Sequence, residues 1–302
     1  MNMRRTRMWV STVALVLACH TAAVAKVARP QLLPEAIFVD PTPDKVHPAR
    51  MEVLHIPSGA VEINGVAYVA VGAGPHPTLV LCHGWPGNEK NLDLAQAVRR
   101  AGWNVVTFNY RGSWGSPGSF RFAQTPRDAS AVLAWLRNPA NAAKLGVDPK
   151  RLAIMGHSMG GWVTALVAGQ DDDLIGAGLI SAGNMGFMRG QNRDGIVKLA
   201  AGNAETLADT SPETMTDELI ANREAFDFLK AAPGLARKPL LVLSSDDGLA
   251  PQTDSLIEAV RASGGTQIAS FHTTTDHSWS DHRIDLAAHV IRWLQTLGVA
   301  RR

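Results

Sequence analysis

Arg151-Leu152-Ala153-Ile154-Met155-Gly156-His157-Ser158-Met159-Gly160-Gly161 is the stretch on which the fold turns. Its first five residues form a mostly apolar run that predicts a strand, and Gly161 to Ala168 predicts a helix. Between them stands G-x-S-x-G, the pattern of a nucleophile elbow. There a serine occupies a strained turn, and flanking glycines remove the Cβ atoms that would clash. The helix that follows presents its N-terminus to the serine, which favours developing negative charge. A plain glycine-rich turn would satisfy the five residues alone. The strand before and the helix after argue for the elbow, with Ser158 as nucleophile.

Outward from the elbow the chain alternates. Thr78 to Cys82 and Trp103 to Tyr110 read as strands, followed by helical patterns at Leu92 to Ala101 and Arg127 to Arg137. Leu174 to Ile180, Leu240 to Leu243 and Gln267 to Phe271 continue the strand series, and the helices Gln252 to Ala262 and Ile284 to Leu297 complete it. Continuous apolar strands separated by helices predict a parallel sheet covered on both faces. Val61 to Asn64 and Val66 to Val71, with a turn at Gly65, predict an antiparallel hairpin at the start, so the sheet is mixed. Asn184 to Arg237 interrupts the alternation with helical pattern but no clear strand. This segment reads as a small cap insertion near the carboxyl ends of the strands, where a ligand crevice is expected.

Composition sets outer bounds. The 302 residues are 46% hydrophobic and 19% charged, with a net charge of +2. That balance fits a globular domain and argues against a nucleic-acid binder working through a broad basic field. Arg4, Arg5 and Arg7 precede an apolar run from Met8 to Ala18, then small residues ending Ala23-Val24-Ala25. This predicts a signal peptide over residues 1–25 and an exported protein, periplasmic or secreted, without stable insertion in a membrane. Val16-Leu17-Ala18-Cys19 offers a competing lipid attachment at Cys19. Residues 26–50, with five prolines, read as an extended arm, and 51–302 as one domain carrying the cap at about 184–237. Cys82 lies in an apolar strand and reads as a small buried hydrophobe. No Cys/His spacing suggests zinc or another metal.

From about residue 50 onward the chain resembles the α/β-hydrolase superfamily of serine hydrolases, in its dienelactone-hydrolase and prolyl-oligopeptidase catalytic-domain forms. The resemblance rests on the elbow, on Leu81-Cys82-His83-Gly84-Trp85-Pro86-Gly87, and on Asn109-Tyr110-Arg111-Gly112-Ser113-Trp114-Gly115-Ser116, where Asn109 replaces the usual Asp. It implies an α/β-hydrolase fold and an oxyanion hole made by the backbone N–H groups of Trp85 and Met159. His83 then braces its loop, and Arg111 is a scaffold residue. The family order places an acid and then a histidine after the serine. Asp247-Gly248-Leu249-Ala250-Pro251 fits the acid position, with Asp246 as the neighbouring alternative. His277, in His277-Ser278-Trp279, fits the base, with His282 as the alternative and His272 as structural.

A serine needs a base, and the base needs an orienting carboxylate. Ser158, His277 and Asp247 together imply an acyl-enzyme mechanism that requires no metal or organic cofactor. Trp85, Trp114 and Trp279 fall on loops expected around the serine and are candidates to wall a substrate pocket. The expected partner is a small-molecule ester, with short-chain acyl esters favoured, or a short peptide. A serine peptidase or aminopeptidase is the alternative. A binding protein on the same fold is the non-enzymatic reading, opposed by a candidate for every role in the triad. Oligomeric state is not legible.

Overall fold

The computed structural model describes residues 32–187 and 192–297. The leader read at 1–25, with Cys19, lies outside the described residues, as do 26–31 of the arm and 188–191 of the segment read as a cap. Eight strands form one sheet. They are β1 (Arg50–Ser58), β2 (Val61–Val69), β3 (His76–Cys82), β4 (Asn104–Phe108), β5 (Val147–His157), β6 (Gly176–Ile180), β7 (Leu240–Ser245) and β8 (Ile268–Thr273). Their order across the sheet is β1–β2–β4–β3–β5–β6–β7–β8. β1, β2 and β4 pair antiparallel, and every pairing from β4 to β8 is parallel.

Both faces of the sheet are buried along the central strands β3 to β7, which carry apolar residues at successive positions, whereas the edge strand β1 alternates and β8 has no buried residue. Leu79 and Leu81 point into one core, and Val80 and Cys82 into the other. The first core is closed by α1 (Leu92–Arg100) and α9 (Arg283–Leu297). The second is closed by α2 (Thr125–Arg137), α3 (Pro139–Leu145), α4 (Met159–Gln170) and α8 (Ala250–Ala262). Between β6 and β7 lie α5 (Arg193–Ala201), α6 (Pro212–Ala221) and the short α7 (Ala232–Leu235). α7 approaches α4 so closely that a Cβ on Gly234 would fall 1.8 Å from the Gly169 carbonyl oxygen. This last stretch therefore belongs to the helical layer on the sheet.

The hairpin turn is not at Gly65. The chain reverses at Gly59, whose φ of 61° suits glycine, and Gly65 pairs with Leu54 inside β2. A Cβ there would lie 3.0 Å from the Thr107 carbonyl oxygen, so a close approach to β4 is what the missing side chain serves. α3 escaped the sequence reading because seven residues show too little periodicity. It is anchored by Asn138, whose side-chain oxygen accepts from the N–H groups of Ala140 and Asn141.

The strand order explains where a site can form. β3 has β4 on one side and β5 on the other, so the chain leaves β3 in one direction and returns to its opposite flank. At such a switch point the loops after the two neighbouring strands diverge and leave a crevice. Here those loops are His83 to Asn91 and the turn at Ser158. The pairing of Cys82 with Gly156 brings them side by side.

Candidate active site

Ser158 sits at the end of β5 with φ 59° and ψ −123°. That region costs a non-glycine residue roughly 1–3 kcal/mol and persists only where its surroundings enforce it. The enforcement is visible. Ser158 N–H donates to the Ile180 carbonyl at 2.9 Å, and its own carbonyl accepts from Gly161 at 3.0 Å and Gly183 at 3.3 Å. A Cβ on Gly156 would stand 2.1 Å from the Gly160 carbonyl oxygen, and one on Gly160 would stand 2.2 Å from that of Cys82. Only glycine lets the turn close and lets α4 start against β3.

Trp85 lies in the loop after β3 and Met159 begins α4. First-turn N–H groups of a helix have no intrahelical acceptor. Neither the Trp85 nor the Met159 N–H donates a loop hydrogen bond among the described residues. The loop carrying Trp85 is held from several sides. Tyr110 Oη donates to the His83 carbonyl at 3.1 Å, and the Trp114 indole N–H donates to the Pro86 carbonyl at 2.7 Å. His83 is buried and its pKa is pushed down to about 4 by that burial. It is a neutral brace in the wall of the loop.

His277 lies in the loop after β8, and Asp247 in the loop after β7. His277 Nδ1 is 2.7 Å from Asp247 Oδ2; the carboxylate side chain is 5% exposed and the imidazole 39%. Burial alone would raise the Asp247 pKa. The bonds from His277 and from the Leu249 N–H outweigh it and hold the carboxyl below its ordinary value. The neighbouring candidates separate by geometry. Asp246 pairs with His272 at 2.9 Å, with both side chains about half exposed. His282 sits beside Asp281 at 3.0 Å. Of these histidines and aspartates, only His277 and Asp247 join Ser158 around one cavity of about 580 Å³, whose walls include Trp85, Met159, Met185, Phe187 and Leu249.

Two tryptophans expected at this pocket stand elsewhere. Trp279 is completely buried in the core between the sheet and α9, and its indole N–H donates to Ser181 Oγ at 3.0 Å. The loop turns inward two residues after His277, so its aromatic residue anchors the loop and does not face substrate. Trp114 is absent from the walls of the serine cavity. Its indole N–H is occupied by Pro86, and the Lys90 ammonium lies 4.1 Å from its ring centroid. It supports the Trp85 loop from outside. Trp85 does line the cavity and packs edge-on against Phe122.

Other expectations fit the contacts. Arg111 bonds Asp128, which is fully buried and also accepts from Ser58 Oγ. Cys82 is fully buried, and burial pushes its thiol up to about 12. Met185, Phe187, Leu199 and Asn203 were not legible as cavity walls, because nothing in a cap segment announces which side chains face inward, nor was Gln252 at the start of α8. His157, too, stood only as a variable position of the elbow. Among the described residues no group of three or more His, Cys, Asp or Glu is arranged to hold a metal ion. Among them, too, no helix is long and apolar enough to cross a membrane.

The pattern that defines the alpha/beta hydrolase family matches residues 79–297. A lysophosphatidylserine lipase of Danio rerio is 34% identical over 96 residues, covering 30% of this chain and 23% of that protein. A cutinase of Thermobifida fusca is 29% identical over 115 residues, covering 37% and 34%. The curated relatives it matches are spanned over no more than 45% of their length. Among solved structures, the carboxylesterase EstE1 from a metagenomic library superposes with a TM-score of 0.60 at 25% identity, covering 82% of this chain and 90% of that one.

Proposed function

The chain belongs to the alpha/beta hydrolase family, and from that premise we propose that it is a serine hydrolase that cleaves carboxylic esters through an acyl-enzyme. One observation carries the reading. A serine on a strained elbow and a histidine bonded at 2.7 Å to a buried aspartate line the same cavity. In this reading Asp247 accepts from Nδ1–H of His277 and so leaves Nε2 as the base. His277 takes the proton from Ser158 Oγ as it attacks the ester carbonyl. The Trp85 and Met159 N–H groups stabilise the oxyanion, each such donor contributing about 3–4 kcal/mol to lowering the barrier. His277 then protonates the departing alcohol, and water attacks the acyl-enzyme with the same histidine as base.

Esters are favoured over peptides for two reasons. The named relatives with local similarity above are a lipase and a cutinase. An aminopeptidase needs a free carboxylate for the substrate's amine, whereas Glu224 is paired with Lys230 at 2.8 Å and Asp227 Oδ1 already accepts from Asn184 and Leu229. The test is labelling by a fluorophosphonate probe followed by turnover of nitrophenyl esters and aminoacyl amides. We expect labelling and ester turnover in the wild type and neither in Ser158→Ala. Labelling that survives Ser158→Ala, or turnover of amides without esters, would reject the proposal.

A further inference from the structure

The cavity around Ser158 has a neighbour across Phe187. A second chamber of about 560 Å³ shares Asn184, Phe187 and Gln252 with the first and continues to Leu229, Pro251 and Ser255. The shared wall is rigidly built. Asn184 N–H donates to Gln252 Oε1 at 2.7 Å, and its amide nitrogen donates to Asp227 Oδ1 at 2.8 Å. Asn184 Oδ1 accepts from the N–H groups of Gly186 at 3.1 Å and Phe228 at 3.2 Å. A Cβ on Gly186 would lie 2.4 Å from the Arg223 carbonyl oxygen, so the backbone is pressed against its neighbour just before Phe187.

On this wall large apolar side chains are left open to solvent. Phe187 is 52% exposed and Leu199 is 39% exposed, and both line the serine chamber. Leu229 and Pro251 extend the apolar surface into the second chamber. The carboxylates there are engaged, Glu224 by Lys230 and Asp227 by Asn184 and the Leu229 N–H. Ligand pockets of roughly 300–1,000 Å³ enclose drug-sized molecules. A short acyl group would leave most of this cleft, and all of its second chamber, empty.

We propose that the second chamber is a chain-binding subsite, taking the distal part of a medium-length aliphatic chain that runs from the scissile ester past Phe187. It rests on the ester-hydrolase reading above and moves the preferred substrate beyond the short-chain esters favoured from sequence. The chain could belong to the acyl or the alcohol side, since hydrocarbon is recognised alike on both.

The test uses the full chain and its Ser255→Trp variant. Ser255 is an exposed α8 residue that lines the second chamber and not the first. Nitrophenyl acetate, butyrate, octanoate and decanoate, and ethyl and octyl acetate, are compared at concentrations below micelle formation. Each buried methylene is worth up to about fourfold in kcat/KM. We expect wild type to favour octanoate over acetate by at least about tenfold. The variant should lose most of that preference while retaining acetate turnover, which also reports that it has folded. The same pattern confined to octyl acetate supports the subsite and assigns it to the alcohol chain. Ser158-dependent acetate turnover with no gain from longer chains on either side overturns the subsite alone. So does an equal loss on short and long esters in Ser255→Trp. No ester turnover at all removes the ester reading first and the subsite with it.

Discussion

The Nε2–H of His157 donates to the main-chain carbonyl of His277 across 2.8 Å, although 120 residues separate them in sequence. Since a carbonyl only accepts, Nε2 carries the proton and Nδ1 is left as a buried acceptor without a partner. An unpaired buried acceptor costs about 1–3 kcal/mol, which an apolar residue of similar size would avoid. The two rings also lie with centroids 4.6 Å apart, tilted by 46°. Burial first, and the nearby His277 second, lower the His157 pKa to about 4, so it faces His277 uncharged. The residue before the proposed nucleophile thus holds the loop that carries the proposed base.

Replacing His157 should therefore change positioning before affinity. His157→Leu removes the donor, and loss of loop placement by an ångström can cost on the order of 100-fold in rate. We expect kcat to fall by at least about tenfold with KM nearly unchanged. His157→Gln places an amide N–H where Nε2 stood and should recover most of that loss. Steady-state kinetics on a nitrophenyl ester decides it: equal losses in Leu and Gln would mean simple packing.

The two neighbouring carboxylates should part company completely. Asp247→Asn keeps the shape but, with its oxygen held by the Leu249 N–H, turns an amide donor toward His277 Nδ1 and favours the wrong tautomer; the comparable change in a serine triad lowers kcat about 10⁴-fold. Asp246→Asn disturbs only a half-exposed pair with His272, for which at most about 1 kcal/mol is at stake. Burst kinetics on both variants would expose a reversed assignment at once.

Trp279 should matter to stability and not to substrate affinity. Truncating a fully buried tryptophan costs about 3–5 kcal/mol, and here it also removes one of the two side-chain hydrogen bonds of Ser181 Oγ, leaving only that to Ser245. We expect Trp279→Ala to lower the urea midpoint strongly. If any folded fraction shows a raised KM with an unchanged midpoint, then Trp279 reaches the pocket after all.

Acid should weaken the fold through two buried histidines. His83 and His157 are both lowered to about 4 by burial, from 6.5. Between those values the unfolded chain binds protons that the folded one refuses, so stability rises with pH across the window. The contribution is full above about 6.5 and disappears as pH falls through about 4, on the order of 3 kcal/mol per histidine. Urea titrations at pH 7 and pH 5 should show the decline. His157→Gln should flatten its slope; an unchanged slope would show that His157 is accessible to protons in the folded state.

Much of this is legible in the sequence. The elbow, the HGxPG-like loop, Asp247 and His277 each follow an apolar strand, and strands of that kind are written in short local runs. Their positions at strand ends are a consequence of chain order in an alternating sheet. Where the reading slipped, the deciding contact was remote. Gly65 looked like a turn because glycine often is one, yet its missing side chain answers Thr107 in β4, a remote strand. Trp279 looked like a pocket wall because its loop was expected beside the serine, but Ser181 draws its indole inward.

By itself the sequence determined the sheet, its two buried faces and the residue types at the ends of β3, β5, β7 and β8, because those depend on local periodicity and on glycine where no Cβ fits. Only the tertiary structure decided which aspartate meets which histidine, that His157 supports His277, and that a second chamber opens beyond Phe187. Each of these depends on side chains from distant segments converging across a switch point, and no local pattern encodes that convergence.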